Sequence, residues 1–482
     1  MCVFFAQNPA TTTDWCNVDR AAIDILPNDV LLEIFDFLVA KSNRFEAENW
    51  WLTLVHVCRK WRIVIFGSPH SLNLQLVCSD GTPVREMLDV WPPWPIVVHH
   101  FARPMTGWDN ITAALGCNDR VRQIGLELDP QWEKVLEAMQ KPFPALTHLS
   151  LLSDTDIAPV VPDLFMGGSA PRLQHLRLKR IPILGLPKLL SSATDLSYLD
   201  LRSIPHSGYI SPEAIVTCLS ALPRLEKLCL EFESPRSFPN RASRRLLSRP
   251  TRSVLPSLTR LYFTGVSEYL EDLVARIDSP LLSFFDIRLF HQLIFDTPQL
   301  TQFITRTPEL KTCDEAHVYF SNSEVWVTCP RTPPDSDNGL QLAISCGLPE
   351  WQLSAMEQVC GSSFPQSLIR KVEQLYIYNG CDSRGLWQDD IETSQWLELL
   401  HPFMAAKHLY LSKELVPLIA PSFQELMGEG ATEVLLPALK SLFLEFRPSR
   451  AAEEAIGKFL DARELFNLPV SISHWVRSDN KW

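Results

Sequence analysis

A unit of the form Pro-x-Leu-x-x-Leu-x-Leu recurs along this chain and restricts its fold more than any other feature. Two copies are nearly complete: Pro144-Ala145-Leu146-Thr147-His148-Leu149-Ser150-Leu151 and Pro171-Arg172-Leu173-Gln174-His175-Leu176-Arg177-Leu178. The pattern returns with Leu196, Leu199 and Leu201; with Leu225, Leu228 and Leu230; with Leu258 and Leu261; and with Leu439, Leu442 and Leu444. From Leu146 to Leu258, successive first leucines lie 27, 23, 29 and 33 residues apart. A repeat of that length cannot bury its apolar face alone, so consecutive copies must stack into a solenoid.

Weaker copies at Val121-Ile124-Leu126, Leu282-Phe285-Ile287, Val372-Leu375-Ile377 and Ala406-Leu409-Leu411 carry the array nearly to the end. Leu72-Leu74-Leu76 and Ile96-Val97-Val98 are candidate first strands. Between strands, Ser211 is placed to cap a helix opened by Pro212 and Glu213, and Thr297-Pro298 to repeat the device ahead of Leu300, Phe303 and Ile304. Trp132, Val135, Leu136 and Met139 form another helical stripe. The expected fold is α/β, an irregular leucine-rich-repeat solenoid over residues 69–482 with parallel strands on the concave side and helices on the convex side. Residues 235–253, rich in Arg and Ser, and 330–338, rich in Pro and Asp, read as exposed loops. A helix near 451–466, followed by Val470 and Ile472, is expected to cap the far end, to about residue 476.

Ahead of the array the pattern changes. Residues 1–20 carry no periodicity and read as a mobile tail. After Asn28, a plausible N-cap, Val30, Leu31, Ile34, Phe35 and Leu38 fall at helical spacing on one face, with Leu32, Phe37 and Val39 on others. Leu54, Val57, Cys58, Trp61 and Ile65 predict a second helix ending at Gly67. So apolar a pair of helices needs covering on more than one side, which implies a partner.

The run Leu26-Pro27-x-Asp29-Val30-Leu31-Leu32-x-Ile34-Phe35-x-x-Leu38, followed by Leu54-Val55-x-Val57-Cys58-Arg59-Lys60-Trp61, resembles the F-box, placed here at residues 21–68. The connection over residues 40–53, with Trp50 and Trp51, is longer than in the usual F-box. Such an insert, and the segments around Leu72–Leu76 and Leu88–Pro92, are similar to those of fungal-type F-box proteins. The resemblance implies a Skp-type adaptor as partner and, through it, a cullin-RING ubiquitin ligase. It assigns adaptor contact to Leu26, Pro27, Val30, Leu31, Ile34, Phe35, Leu38, Val57, Cys58 and Trp61.

Hydrophobic residues make up 46% and charged residues 21%, enough to build a core. A net charge of -12 disfavours nucleic acid and anionic membranes as partners. Twelve cysteines without a C-x-x-C pair point to reduced thiols and hence to cytoplasm or nucleus. The N-terminus shows no secretory pattern and no stretch is long and apolar enough to span a membrane.

Nucleophile elbow, phosphate loop, dinucleotide fingerprint and zinc-protease motif are all missing, so no catalytic residue, cofactor or metal is expected. His99-His100 is weighed as a metal ligand pair and read as structural; Asp389, Asp390 and Glu392 are read as a solvated acidic loop. Arg236, Arg241, Arg244, Arg245, Arg249 and Arg252 suit a phosphate clamp but are read first as a solvated loop. Strand alternation puts Arg177, Lys179, Tyr198, Asp200, Arg202, Tyr262, Tyr376, Tyr378 and Tyr410 on the concave face, and Tyr and Arg are common in binding hot spots. The chain is therefore expected to be the substrate receptor of a ubiquitin ligase, with an unknown protein as substrate. The rival reading is a repeat scaffold or inhibitor acting without a ligase.

Overall fold

Leucine spacing sets the phase of the strands. Of each Leu-x-x-Leu-x-Leu triplet, the last two leucines alternate along a strand and the first lies in the turn before it; Leu146, Leu149, Leu151, Leu173, Leu176 and Leu178 are all buried. The computed structural model describes residues 25–41, 50–69, 72, 74–100, 107–128, 132–154, 161–182, 184–237, 252–311, 313–330, 339–346, 348–380, 393–425, 436–445 and 449–476. Outside them lie the expected tail at 1–20, most of the Arg-rich stretch, residues 331–338, and Asp389, Asp390 and Glu392.

In chain order the strands are β1 (Leu76–Cys78), β2 (Ile96–His100), β3 (Val121–Leu128), β4 (His148–Ser153), β5 (His175–Lys179) and β6 (Tyr198–Ile204). Then come β7 (Lys227–Phe232), β8 (Ser253–Val254), β9 (Arg260–Gly265), β10 (Ile277–Asp278), β11 (Phe284–Phe290) and β12 (Glu315–Phe320). The last six are β13 (Glu324–Pro330), β14 (Gly339–Ser345), β15 (Gln374–Asn379), β16 (His408–Leu411), β17 (Ser441–Leu444) and β18 (Ser471–His474). Sixteen form one sheet; β8 and β10 form a separate parallel pair.

From β1 to β11 the main sheet is parallel, with its helices stacked along one face. A row of hydroxyls reinforces the register: Thr147, Ser197, Thr259 and Ser283, each just before a strand, and Ser471, the first residue of β18, donate to the backbone carbonyl of the neighbouring repeat. Such bonds satisfy carbonyls at the open margin of the strands.

The uninterrupted parallel array needs one correction. After the helix Pro298–Arg306 the chain skips two positions, forms β12, turns back through β13 antiparallel to it, and returns as β14 to pair parallel with β11. The sheet order is thus β11-β14-β13-β12-β15. The hairpin alternates apolar and polar residues without a Leu-x-x-Leu-x-Leu signature, so repeat spacing could not find it. Gly339 opens β14 at φ 137°, where a Cβ would stand 2.5 Å from the Cys329 carbonyl oxygen, so only glycine fits beside β13.

Smaller corrections follow. The first strand is Leu76–Cys78, and Leu72 and Leu74 are core residues ahead of it. Ser211 caps its helix through the Ala214 N–H, as expected. Thr297 does not cap: its hydroxyl bonds the Ser363 hydroxyl at 2.7 Å, and the Glu271 carboxylate of the previous repeat takes the free N–H groups of Gln299 and Leu300 at 2.8 Å each. Within the expected loop at 235–253, Pro235–Ser237 is a 3₁₀ turn and Ser253 belongs to β8. At the far end the helix Arg450–Leu465 is capped by Ser449, and β18 continues the sheet with its side chains exposed.

Candidate functional site: the helical end and the open sheet face

Three helices precede the array: α1 (Asn28–Lys41), α2 (Trp50–Val55) and α3 (Arg59–Gly67). The single helix expected from Leu54 onward is broken at Cys58, whose backbone is extended and whose Sγ accepts from the Trp61 N–H at 3.5 Å. Cys58 is thus the N-cap of α3. The Lys60 ammonium donates to the Leu26 carbonyl and the Arg62 guanidinium to that of Val55, tying the three helices together.

The helices and the first repeats share one core. Trp51, read from sequence as part of an inserted connection, is buried edge-on between Trp91 and Trp94, ring centroids 4.9 Å away in both cases, and its indole N–H donates to the Gln75 carbonyl. Phe66 packs on the same two tryptophans. Nothing in the helical period marks Trp51 as a keystone; its density of nearby tryptophans is the only signal the sequence offers.

This packing divides the expected adaptor contacts. Leu31 and Phe35 are fully buried in their own chain, with Phe35 edge-on to Trp61 at 4.8 Å. Leu26, Val30, Cys58 and Trp61 are half-buried and Pro27 is exposed. Ile34, Leu38 and Val57 are 36%, 48% and 56% exposed, joined by Phe37 and Ile63 at 60% each. An apolar surface of this kind costs free energy in water until something covers it.

Along the sheet, every second side chain faces away from the helices, and register aligns these in rows. Arg177, Asp200, Cys229 and Tyr262 are consecutive cross-strand neighbours on β5, β6, β7 and β9. Asp200 is fully buried: Tyr198 Oη donates to it at 3.0 Å, Arg202 Nε at 2.8 Å, and Arg177 Nε stands 3.5 Å away. Burial and the adjoining Asp200 carboxylate push the Tyr198 phenol and the Cys229 thiol each up to about 12. Lys227 lies over the rings of Tyr198 and Tyr262, about 5 Å from each centroid.

Farther along, His317, Tyr376, Tyr410 and Phe443 stack ring on ring at centroid spacings of 4.4, 4.0 and 4.4 Å. Trp475 crosses this ladder from beyond β18, and its indole N–H reaches the Leu411 carbonyl. Of the residues expected on this face, Tyr378 and Asp200 are buried; Lys179, Tyr198, Arg202, Tyr262, Tyr376 and Tyr410 are half-buried and Arg177 is exposed. Two groups result, one ionic and one aromatic.

The remaining candidates separate. His100 Nδ1 pairs with Asp80 at 3.0 Å in the core. Among the described residues no cluster of His, Cys, Asp and Glu is placed to hold a metal ion, and no helix is long and apolar enough to cross a membrane. Arg236 is exposed on its short turn and Arg252 lines a cleft with Asp278 and Arg306; the other arginines of that run lie outside the described residues.

Residues 23–70 match the family model for the F-box-like domain. Among solved structures, the chain is similar to the leucine-rich repeat-containing protein LegL7 from Legionella pneumophila, at 14% identity over 80% of this chain and 97% of that one, with a TM-score of 0.28. No curated protein matches the sequence.

Proposed function

We propose that the chain is the substrate-recognition subunit of a Skp-cullin-F-box ubiquitin ligase, holding the adaptor with α1 to α3 and a protein target on the open sheet face. The observation that carries this reading is the exposed apolar surface of Ile34, Leu38, Val57 and Ile63 within the stretch that matches the F-box-like domain. The chain brings no catalytic residue of its own. It raises the effective concentration of target lysines near the ubiquitin-carrying enzyme, and the shared core of helical end and first repeats fixes the angle between them.

Burying each exposed aliphatic side chain against an adaptor contributes on the order of 1.5 to 3 kcal/mol. Replacing Ile34 and Val57 by Asp together should weaken adaptor capture by about a hundredfold or more, since about 1.4 kcal/mol is one factor of ten. Circular dichroism of that variant should be unchanged. Leu31→Asp instead disrupts the core, so it reports on folding and not on docking. A pull-down with purified Skp-type adaptor decides the matter: undiminished capture by the folded double variant rejects the ligase reading in favour of a ligase-free scaffold.

A further inference from the structure

We propose that the open face from β5 to β9 is a docking floor for an Asp/Glu-rich segment of a protein partner. This rests on the reading of the sheet face as the target surface and adds the chemistry of what it takes. Five cations project there: Arg177, Lys179, Arg202, Lys227 and Arg260. Two carboxylates, Asp200 and Glu231, share the floor and Glu226 stands at its margin near His175, so the five cations outnumber them. Asp200 is fully buried beneath Arg177 and Arg202, so two guanidiniums divide one inward charge and keep exposed edges. Glu231 is bonded by the Ser203 hydroxyl at 3.2 Å. At the rim, Asp154 pairs with Lys179 and Glu233 with Arg180. Lys227 faces no carboxylate among the described residues; it rests on the two tyrosine rings.

From β11 to β17 the outward side chains within the strands themselves have the opposite sign. Asp286, Glu315 and Glu324 stand there against Arg288, which bridges Asp286 and Glu324, while Glu315 meets the His317 ring; Lys407, Lys413 and Lys440 lie at the margins beside Glu373 and Glu445. The whole chain is at -12. An acidic polypeptide is therefore repelled by most of the molecule and attracted by one stretch, which gives a register as well as an attraction.

Fluorescence anisotropy with a labelled oligoglutamate peptide, with oligoglutamine and oligolysine as controls, tests this on the full chain. Oligoglutamate alone should bind, and binding should weaken with added salt. Lys227→Gln combined with Arg177→Gln should reduce affinity about tenfold, as for removal of half-exposed charges; Glu315→Gln, on the acidic stretch, should not reduce it. Equal binding by the double variant and the parent, or no binding of oligoglutamate, overturns the proposal. Adaptor capture by the same double variant should be unaltered, so failure here is distinguishable from failure of the ligase reading.

Discussion

Arg463 commits its guanidinium to three backbone carbonyls, those of Leu436, Leu439 and Leu468, while fully buried in the C-terminal helix. It joins the last helix to the turns that lead into β17 and β18, a duty that helical periodicity does not reveal, since an arginine in a helix reads as surface. Its replacement by Leu leaves buried carbonyls unsatisfied at roughly 1 to 3 kcal/mol each. Thermal unfolding of Arg463→Leu should show the C-terminal repeats melting first and several degrees lower, while adaptor capture survives. Leu31 and Phe35 teach the converse lesson. Their spacing marks an apolar face correctly, but spacing cannot tell whether that face is covered by the chain itself or by a partner; for Phe35 the answer is the Trp61 ring, which meets it only in three dimensions.

At the scale of elements, the repeats were legible wherever a leucine triplet fixed the strand phase, and illegible where pairing is antiparallel or a cap comes from another repeat. The Glu271 carboxylate is such a cap, serving the helix Pro298–Arg306. Burial lifts its pKa to about 7, outweighing the two N–H groups and helped by Asp296 and Asp272. A carboxyl raised in the folded state binds protons more readily there than in the unfolded chain. Its contribution to stability is therefore fully present below the unfolded value near 4.5 and is lost as pH rises through about 7. Urea midpoints of the parent should fall between those limits, and Glu271→Gln should flatten that part of the profile; an identical slope in both proteins would assign the pH dependence to other groups.

For the whole molecule, the continuous main sheet from β1 to β18 implies one elongated body, and a scattering profile should show a single extended particle without two tethered globules. The reversed excursion through β12, β13 and β14 gives that body a history. Strand β12 emerges before the two strands that separate it from β11, so a growing chain cannot extend its sheet one repeat at a time beyond Phe290. Assembly must pause with an unfinished edge until Gly339–Ser345 has been made and inserted. Chains truncated after residue 311 should remain soluble as a shortened stack, whereas chains ending after residue 330 should aggregate or be trimmed by protease. A chain that ends after residue 346 should regain protection, because its last strands have closed the gap.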